Sequence, residues 1–239
     1  MTDATGDQKS DKPPQVLLLY YSYTGQAQKV LEAAGEVFRA RGCEVHKAQI
    51  EFTDPRYAER FSRFPMRNVW PDFLGMLPAQ TLRATGDIRT PDEVRRGDYD
   101  LVCIGSPTWW RTVNMPMRSF LKSHEARNLL DGKPFAVFVV CRRYWRENLK
   151  AVRKLAEKKG GRFVGSIHFG YPGGQLRSML SLTSYLGSGE YRDRYLGIRI
   201  PTTNISAEQV EESRRFAARL ADRVFGKASQ TPAKARVEP

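Results

Sequence analysis

The sequence predicts an α/β fold, a doubly wound parallel sheet with helices on both faces, and three observations predict it. Continuous apolar runs at residues 16–21, 101–104 and 135–140 read as strands buried on both faces, as parallel strands are. Segments between these runs repeat their apolar residues at helical spacing, and strands alternating with helices imply a parallel sheet. The first strand runs straight into the turn Ser22-Tyr23-Thr24-Gly25-Gln26-Ala27. A hydroxyl-rich turn at a helix N-terminus forms an anion site, because main-chain N–H groups point outward and the helix dipole favours negative charge. The same residues also suit an ordinary βα turn.

The elements follow in order. Val30, Ala33, Ala34, Val37 and Phe38 mark the first helix, with Gly42 as its C-cap. Residues 44–50 alternate like a second strand. Residues 51–97 are irregular and rich in proline, arginine and aromatics, and a connection this long is functional or locally helical. Within it, Thr90-Pro91-Asp92-Glu93 reads as an N-cap with proline at the first helical position. The third strand, 99–104, ends at the loop Gly105-Ser106-Pro107-Thr108-Trp109-Trp110, and Pro116, Met117, Phe120 and Leu121 mark the next helix. The fourth strand, 135–140, leads into Cys141-Arg142-Arg143-Tyr144-Trp145. A helix with Leu149, Val152 and Leu155 then stops at Gly160-Gly161, and residues 163–169 form the fifth strand. After a second irregular stretch, 170–203, Ser206 and Gln209 make a capping box. The last helix places Val210, Ala217, Leu220, Ala221 and Val224 on one face.

A chain of 239 residues can bury a sizeable core. Residues 1–14 and 227–239 are polar and lack apolar periodicity, so they read as disordered tails flanking one domain at 15–226. No apolar stretch is long enough to span a bilayer, and the N-terminus lacks a signal-peptide hydrophobic region. Cys43, Cys103 and Cys141 are scattered, as are His46, His124 and His168. That spacing argues against a disulfide framework and against a metal site, and it suits a reduced, cytoplasmic setting. The net charge is +13, of which the first fourteen residues carry −1 and residues 227–239 carry +2, leaving +12 between them. The excess favours anionic substrates or surfaces, or else reflects high arginine usage. Nucleic acid is not predicted, because charge stands alone without an RNP, zinc or helix-turn-helix signature.

Three strand-end segments, 22–27, 105–110 and 141–145, converge on one crevice at the carboxyl ends of such a sheet. Taken with the Tyr-Asp-apolar-Gly-Ser-Pro-x-aromatic pattern of residues 99–110, the chain resembles the flavodoxin-like FMN-binding family, including its NAD(P)H-dependent oxidoreductases, over residues 15–226. The resemblance implies a five-stranded parallel sheet in order 2-1-3-4-5, with residues 51–97 and 170–203 as insertions. It implies FMN as cofactor, with its phosphate cradled by Ser22, Tyr23, Thr24, Gly25, Gln26 and Ala27 through main-chain N–H groups and hydroxyls. Ser106, Pro107, Thr108, Trp109 and Trp110 would flank the ring on one side, and Cys141, Arg142, Arg143 and Tyr144 on the other. The two tryptophans also suit core packing of the following helix.

Ala27 stands where the family often has a hydroxyl, and Gln26 where it often has asparagine; one lost hydrogen bond costs about 1 kcal/mol. The third loop departs most, being basic where relatives have glycine or acidic residues. An arginine about 6 Å from the flavin N1–C2 edge would favour its anionic reduced form by roughly 3 kcal/mol. That corresponds to a potential raised by roughly 100 mV. The implied activity is transfer of reducing equivalents from NAD(P)H to a small acceptor such as a quinone, with no side chain singled out as acid or base. The alternatives are a non-catalytic electron carrier and a flavin-free binding protein of the same fold. A homodimer is one assembly the resemblance implies. Residues 51–97 are expected to form a lid, with Arg63, Arg67, Trp70 and Phe73 as contacts. Residues 171–189 could cover the site, meet a partner subunit or touch a membrane.

Overall fold

Five parallel strands, β1 (Gln15–Tyr20), β2 (Glu44–Gln49), β3 (Leu101–Trp109), β4 (Pro134–Cys141) and β5 (Arg162–Gly170), lie in the order β2-β1-β3-β4-β5. The computed structural model describes residues 12–61, 63–171 and 174–226; of the expected tails, residues 1–11 and 227–239 lie outside the described residues. The longer helices are α1 (Gln26–Ala40), α2 (Met115–Lys122), α3 (His124–Leu130), α4 (Trp145–Glu157), α5 (Gln175–Ser188) and α6 (Ala207–Phe225).

Alternation along β1 divides the core. Val16, Leu18 and Tyr20 pack with α1 and α6, while Leu17, Leu19 and Tyr21 pack with α2, α3 and α4. Every residue of the interior strand β4 is buried, because helices cover both faces of it. Phe38, Phe120 and Phe138 are completely buried, and each such side chain contributes roughly 1.5–3 kcal/mol. Gly105 lets α1 approach the sheet: a Cβ there would lie 2.6 Å from Leu31 Cδ1 and 3.0 Å from Tyr20 Cβ. The capping box forms as expected, with Gln209 N donating to Ser206 Oγ at 3.2 Å and Ser206 N to Gln209 Oε1 at 3.1 Å. Ser213 Oγ then donates to Val30 O at 2.6 Å, tying α6 to α1.

Three expectations are corrected. Residues 105–109 are not a loop but the continuation of β3, paired through Ser106↔Val139 and Pro107↔Val140 and turned back onto Thr112–Val113. Pairing with β1 ends at Tyr20↔Gly105, so Pro107 falls where one side of the strand is unpaired and the missing N–H is tolerated. The helix expected near residue 91 spans Asp92–Arg96, but Pro91 is its N-cap; Thr90 donates instead to Glu125 Oε2 at 2.6 Å.

The first insertion is locally helical, as expected of so long a connection. Glu51–Phe52 and Ile88–Arg89 pair antiparallel at its neck, and helical segments Ala58–Phe61, Val69–Gly75 and Leu77–Thr81 fill it. The second insertion holds α5 and a two-stranded hairpin of Arg194–Tyr195 with Ile198–Arg199. The hydroxyls of α5 obscured its helical pattern, since such residues favour caps and turns. Here Thr183 Oγ1 bonds back to Met179 O at 3.2 Å and to Leu180 O at 3.0 Å.

Candidate functional site

Strand order reverses between β1 and β3, the place where doubly wound sheets open a crevice beyond their strand ends. A cavity of about 590 Å³ opens there, within the size range of small-ligand sites.

The turn after β1 forms one side. Gly25, at φ 75° and ψ −5°, is the N-cap of α1. A Cβ there would meet nothing within 4 Å, so the left-handed backbone, rather than space, demands glycine. The first-turn N–H groups of α1 have no partner within the helix, and Ser22, Thr24 and Ala27 line the cavity beside them. Gln26 also lines it, yet its side chain is committed elsewhere. Nε2 donates to Thr24 O at 3.0 Å and Oε1 accepts from Ile205 N at 2.9 Å, which pins the turn to the chain entering α6. Tyr23 departs from its expected role as a hydroxyl donor to phosphate: its OH donates to Arg63 O, and its ring meets Phe61 and Phe64 edge-on. Burial raises that phenol to about 12.

The end of β3 forms the second side with Pro107, Thr108, Trp109 and Trp110. Trp110 opens the two-residue hairpin turn at φ 58°, a position where such turns favour glycine. Trp109 packs against the core cluster that includes α2. Trp109 stacks on Phe61 at 4.8 Å and Trp110 meets Phe73 in a tilted contact at 4.3 Å, both partners from the first insertion. Ser106 and Gly25 are not on the cavity wall. Ser106 is fully buried and donates to Asn148 Oδ1 at 2.9 Å, while Asn148 Nδ2 donates to Thr108 Oγ1 at 2.7 Å and Ser106 O at 3.3 Å. Asn114 Nδ2 holds Pro107 O at 3.0 Å, and its Oδ1 caps α2 through Met117 N at 2.9 Å. Sequence reasoning missed both asparagines. The signals were present: Asn148 interrupts the inward face of α4, and Asn114 precedes a helix with proline near its start.

The end of β4 forms the third side. Burial pushes the Cys141 thiol up to about 12, so it is no nucleophile at neutral pH. Tyr144 caps α4 at φ 60°, and the Arg111 guanidinium lies over its ring at 4.9 Å. Arg142 is partly buried, and desolvation lowers its guanidinium below the ordinary value; no carboxylate lies within ion-pairing distance of it among the described residues. Arg111, unforeseen, lines the cavity with Arg142 and Arg143. Among the described residues no Asp or Glu does so.

The insertions supply the far wall: Phe61, Met66, Phe73 and Met76 from the first, and Tyr171, Ser178, Met179, Leu182 and Leu186 from the second. Of the expected lid contacts Phe73 is on this wall, whereas Arg63, Arg67 and Trp70 are not. Side chains hook the first insertion to the sheet. Gln80 Nε2 reaches Val113 O at 2.7 Å and Trp109 O at 3.2 Å, and the buried Arg118 donates to Ala84 O at 2.9 Å and Val113 O at 2.7 Å.

A 2-1-3-4-5 parallel sheet with its cavity at the β1/β3 switch point decides the architecture. The fold is flavodoxin-like. No protein-family profile matches the sequence. The flavodoxin-like chain is 26% identical over 127 residues to an NAD(P)H dehydrogenase (quinone) of Archaeoglobus fulgidus, covering 52% of this chain and 60% of that protein. It is 29% identical over 106 residues to a protein of the same name from Rhizobium rhizogenes, covering 44% of each. The chain thus spans about half the length of these curated relatives. Among solved structures, a flavodoxin from the domain Archaea overlaps 88% of this chain and 99% of its own, with a TM-score of 0.49 at 12% identity. Flavodoxin 1 from Bacillus cereus overlaps 87% and 97%, with a TM-score of 0.46 at 13% identity.

The residues present suit a flavin mononucleotide. The cavity has room for a ligand of that size. Its walls carry guanidinium groups and, among the described residues, no carboxylate, which suits a dianion. Two aromatic residues in left-handed backbone, Trp110 and Tyr144, stand at the two loops that would flank a ring. Such conformations cost of order 1–3 kcal/mol each and cluster at ligand sites.

Proposed function

We propose that the protein is an FMN-dependent oxidoreductase that passes reducing equivalents from NAD(P)H to a small acceptor such as a quinone. The observation that carries this reading is the cavity at the strand ends, lined by arginines without carboxylates among the described residues and closed on its far side by apolar insertions. The names of the two curated relatives agree with it.

Ser22, Thr24 and the first turn of α1 would hold the phosphate, in the backbone turn that Gly25 sets. Residues 107–110 and 141–144 would flank the ring. FMN, when bound, supplies the redox chemistry; the chain supplies position, field and exclusion of water. Phe61, Phe73, Met76 and Leu182 keep solvent from the cavity, and that strengthens every charge interaction inside it. Arg142 holds a positive charge in the cavity wall where desolvation leaves it poorly screened. The far wall also argues against a carrier, whose flavin edge would be bare.

Mixing the purified protein with FMN should give the bound-flavin absorption spectrum and measurable heat, and the protein should then oxidise NADPH with benzoquinone and no partner protein. Failure to bind FMN would overturn the proposal. Binding without turnover would leave a carrier. Arg142→Met should lower the flavin potential by up to roughly 100 mV.

A further inference from the structure

We infer that the first insertion docks on an anionic lipid bilayer, with the helical segment at residues 69–81 lying in the bilayer interface. Val69–Gly75 and Leu77–Thr81 are two short helices that meet at Met76, whose φ of −82° and ψ of −18° are themselves helical. At about 3.6 residues per turn, Phe73, Met76 and Gln80 share one arc, facing the cavity and the core. Met76 and Gln80 are buried there. Trp70, Leu74 and Leu77 form a second stripe about a quarter-turn away, and they are 43%, 51% and 37% exposed. One arc is buried in the fold; the second stays partly exposed, and an exposed apolar stripe beside charge marks an interaction surface.

Charge selects the occupant. Arg63 and Arg67 precede the segment in the chain and Arg83 follows it; all three are exposed, and none has a carboxylate within ion-pairing distance among the described residues. The sole acidic residue between positions 60 and 86 is Asp72, which is mostly buried and sits 3.8 Å from Arg60. A second copy of this chain is a poor partner, because a two-fold contact would set the same arginines against each other and the chain carries +13. An anionic bilayer instead offers negative headgroups to the arginines and acyl chains to the leucines. Tryptophan prefers that boundary, and helices of this kind lie in its plane. The same segment carries Phe73 and Met76 on the cavity wall, so a docked bilayer would lie beside the apolar side of the site. Docking is argued from surface alone and does not depend on the flavin.

Co-sedimentation of the full-length protein with phosphatidylcholine vesicles, with and without phosphatidylserine, tests the inference. Binding should require phosphatidylserine and weaken with salt. Each basic residue near such a surface is worth about fivefold in partition. The triple variant Arg63→Gln, Arg67→Gln, Arg83→Gln should therefore bind about a hundredfold more weakly. The variant Trp70→Ala, Leu74→Ala should bind at least about tenfold more weakly, from the apolar area removed. Circular dichroism and FMN titration check that both variants keep their fold and cavity. Absence of binding to phosphatidylserine vesicles would overturn the inference, as would binding that either variant leaves unchanged. A concentration-dependent dimer broken by Trp70→Ala, Leu74→Ala would overturn it in favour of a second copy.

Discussion

The two walls of the cavity are held on different physical terms. The near wall is main chain at the ends of β1, β3 and β4, fixed by sheet register and backed by buried asparagines. The far wall is apolar side chain on two insertions, hooked to the sheet by single groups: the Tyr23 hydroxyl, the Gln80 amide and the Arg118 guanidinium. The near wall is as rigid as the core it terminates. The first insertion's part of the far wall is held by those hooks together with the packing of Phe61 on Trp109 and Phe73 on Trp110. That division suits a site whose cofactor subsite must be constant and whose access must not be.

The largest effect should come from Asn148→Ala. It removes three hydrogen bonds behind the near wall, leaves the buried Ser106 without its side-chain partner and takes one bond from Thr108 on the cavity wall. At about 1–3 kcal/mol for each buried group left unpaired, a loss of roughly 3 kcal/mol in a urea titration is expected, together with loss of FMN binding. An unchanged midpoint would show that the near wall is not braced as described.

Acid should act on the other wall first. Asp54 accepts from Arg56 Nη2 at 2.6 Å, Arg56 N at 3.0 Å and Asp87 N at 3.1 Å, crossing the neck of the first insertion. The Arg56 guanidinium and these N–H groups hold its carboxyl down to about 2. A depressed carboxylate stabilises fully above its unfolded value near 4 and loses that contribution as pH falls through the folded value. Amide exchange at Asp87 and through the insertion should therefore accelerate between about pH 4 and 2 while β4 stays protected. Asp54→Asn should abolish the pH step.

Gly25→Val tests the turn itself. With nothing near a Cβ but φ at 75°, the expected cost of roughly 1–2 kcal/mol is backbone strain alone, read as about tenfold weaker FMN binding by calorimetry. The smallest effect should be a gain. Ala27→Ser restores one hydroxyl on the cavity wall and should tighten FMN by up to about fivefold, the value of one hydrogen bond.

Most of the near wall was legible in the residues. Apolar runs marked β1, β3 and β4, the glycine and hydroxyl pattern marked the turn at 22–27, and the capping box at Ser206 formed as expected. What failed there failed locally: residues 105–109 look like a loop until β4 and Thr112–Val113 pair with them. The role of Tyr23 was invisible as well, since nothing beside it in the chain shows that its hydroxyl will find the carbonyl of Arg63.

Hydrophobic period and turn chemistry act between near neighbours, so the chain alone determined the alternation of strands and helices, their two-sided burial and the crevice to which the strand ends lead. The far wall was decided by tertiary structure. Its hooks join Tyr23 to Arg63, Gln80 to Val113 and Arg118 to Ala84. Such contacts exist only after the sheet has brought distant segments together, and they leave no periodic trace along the chain.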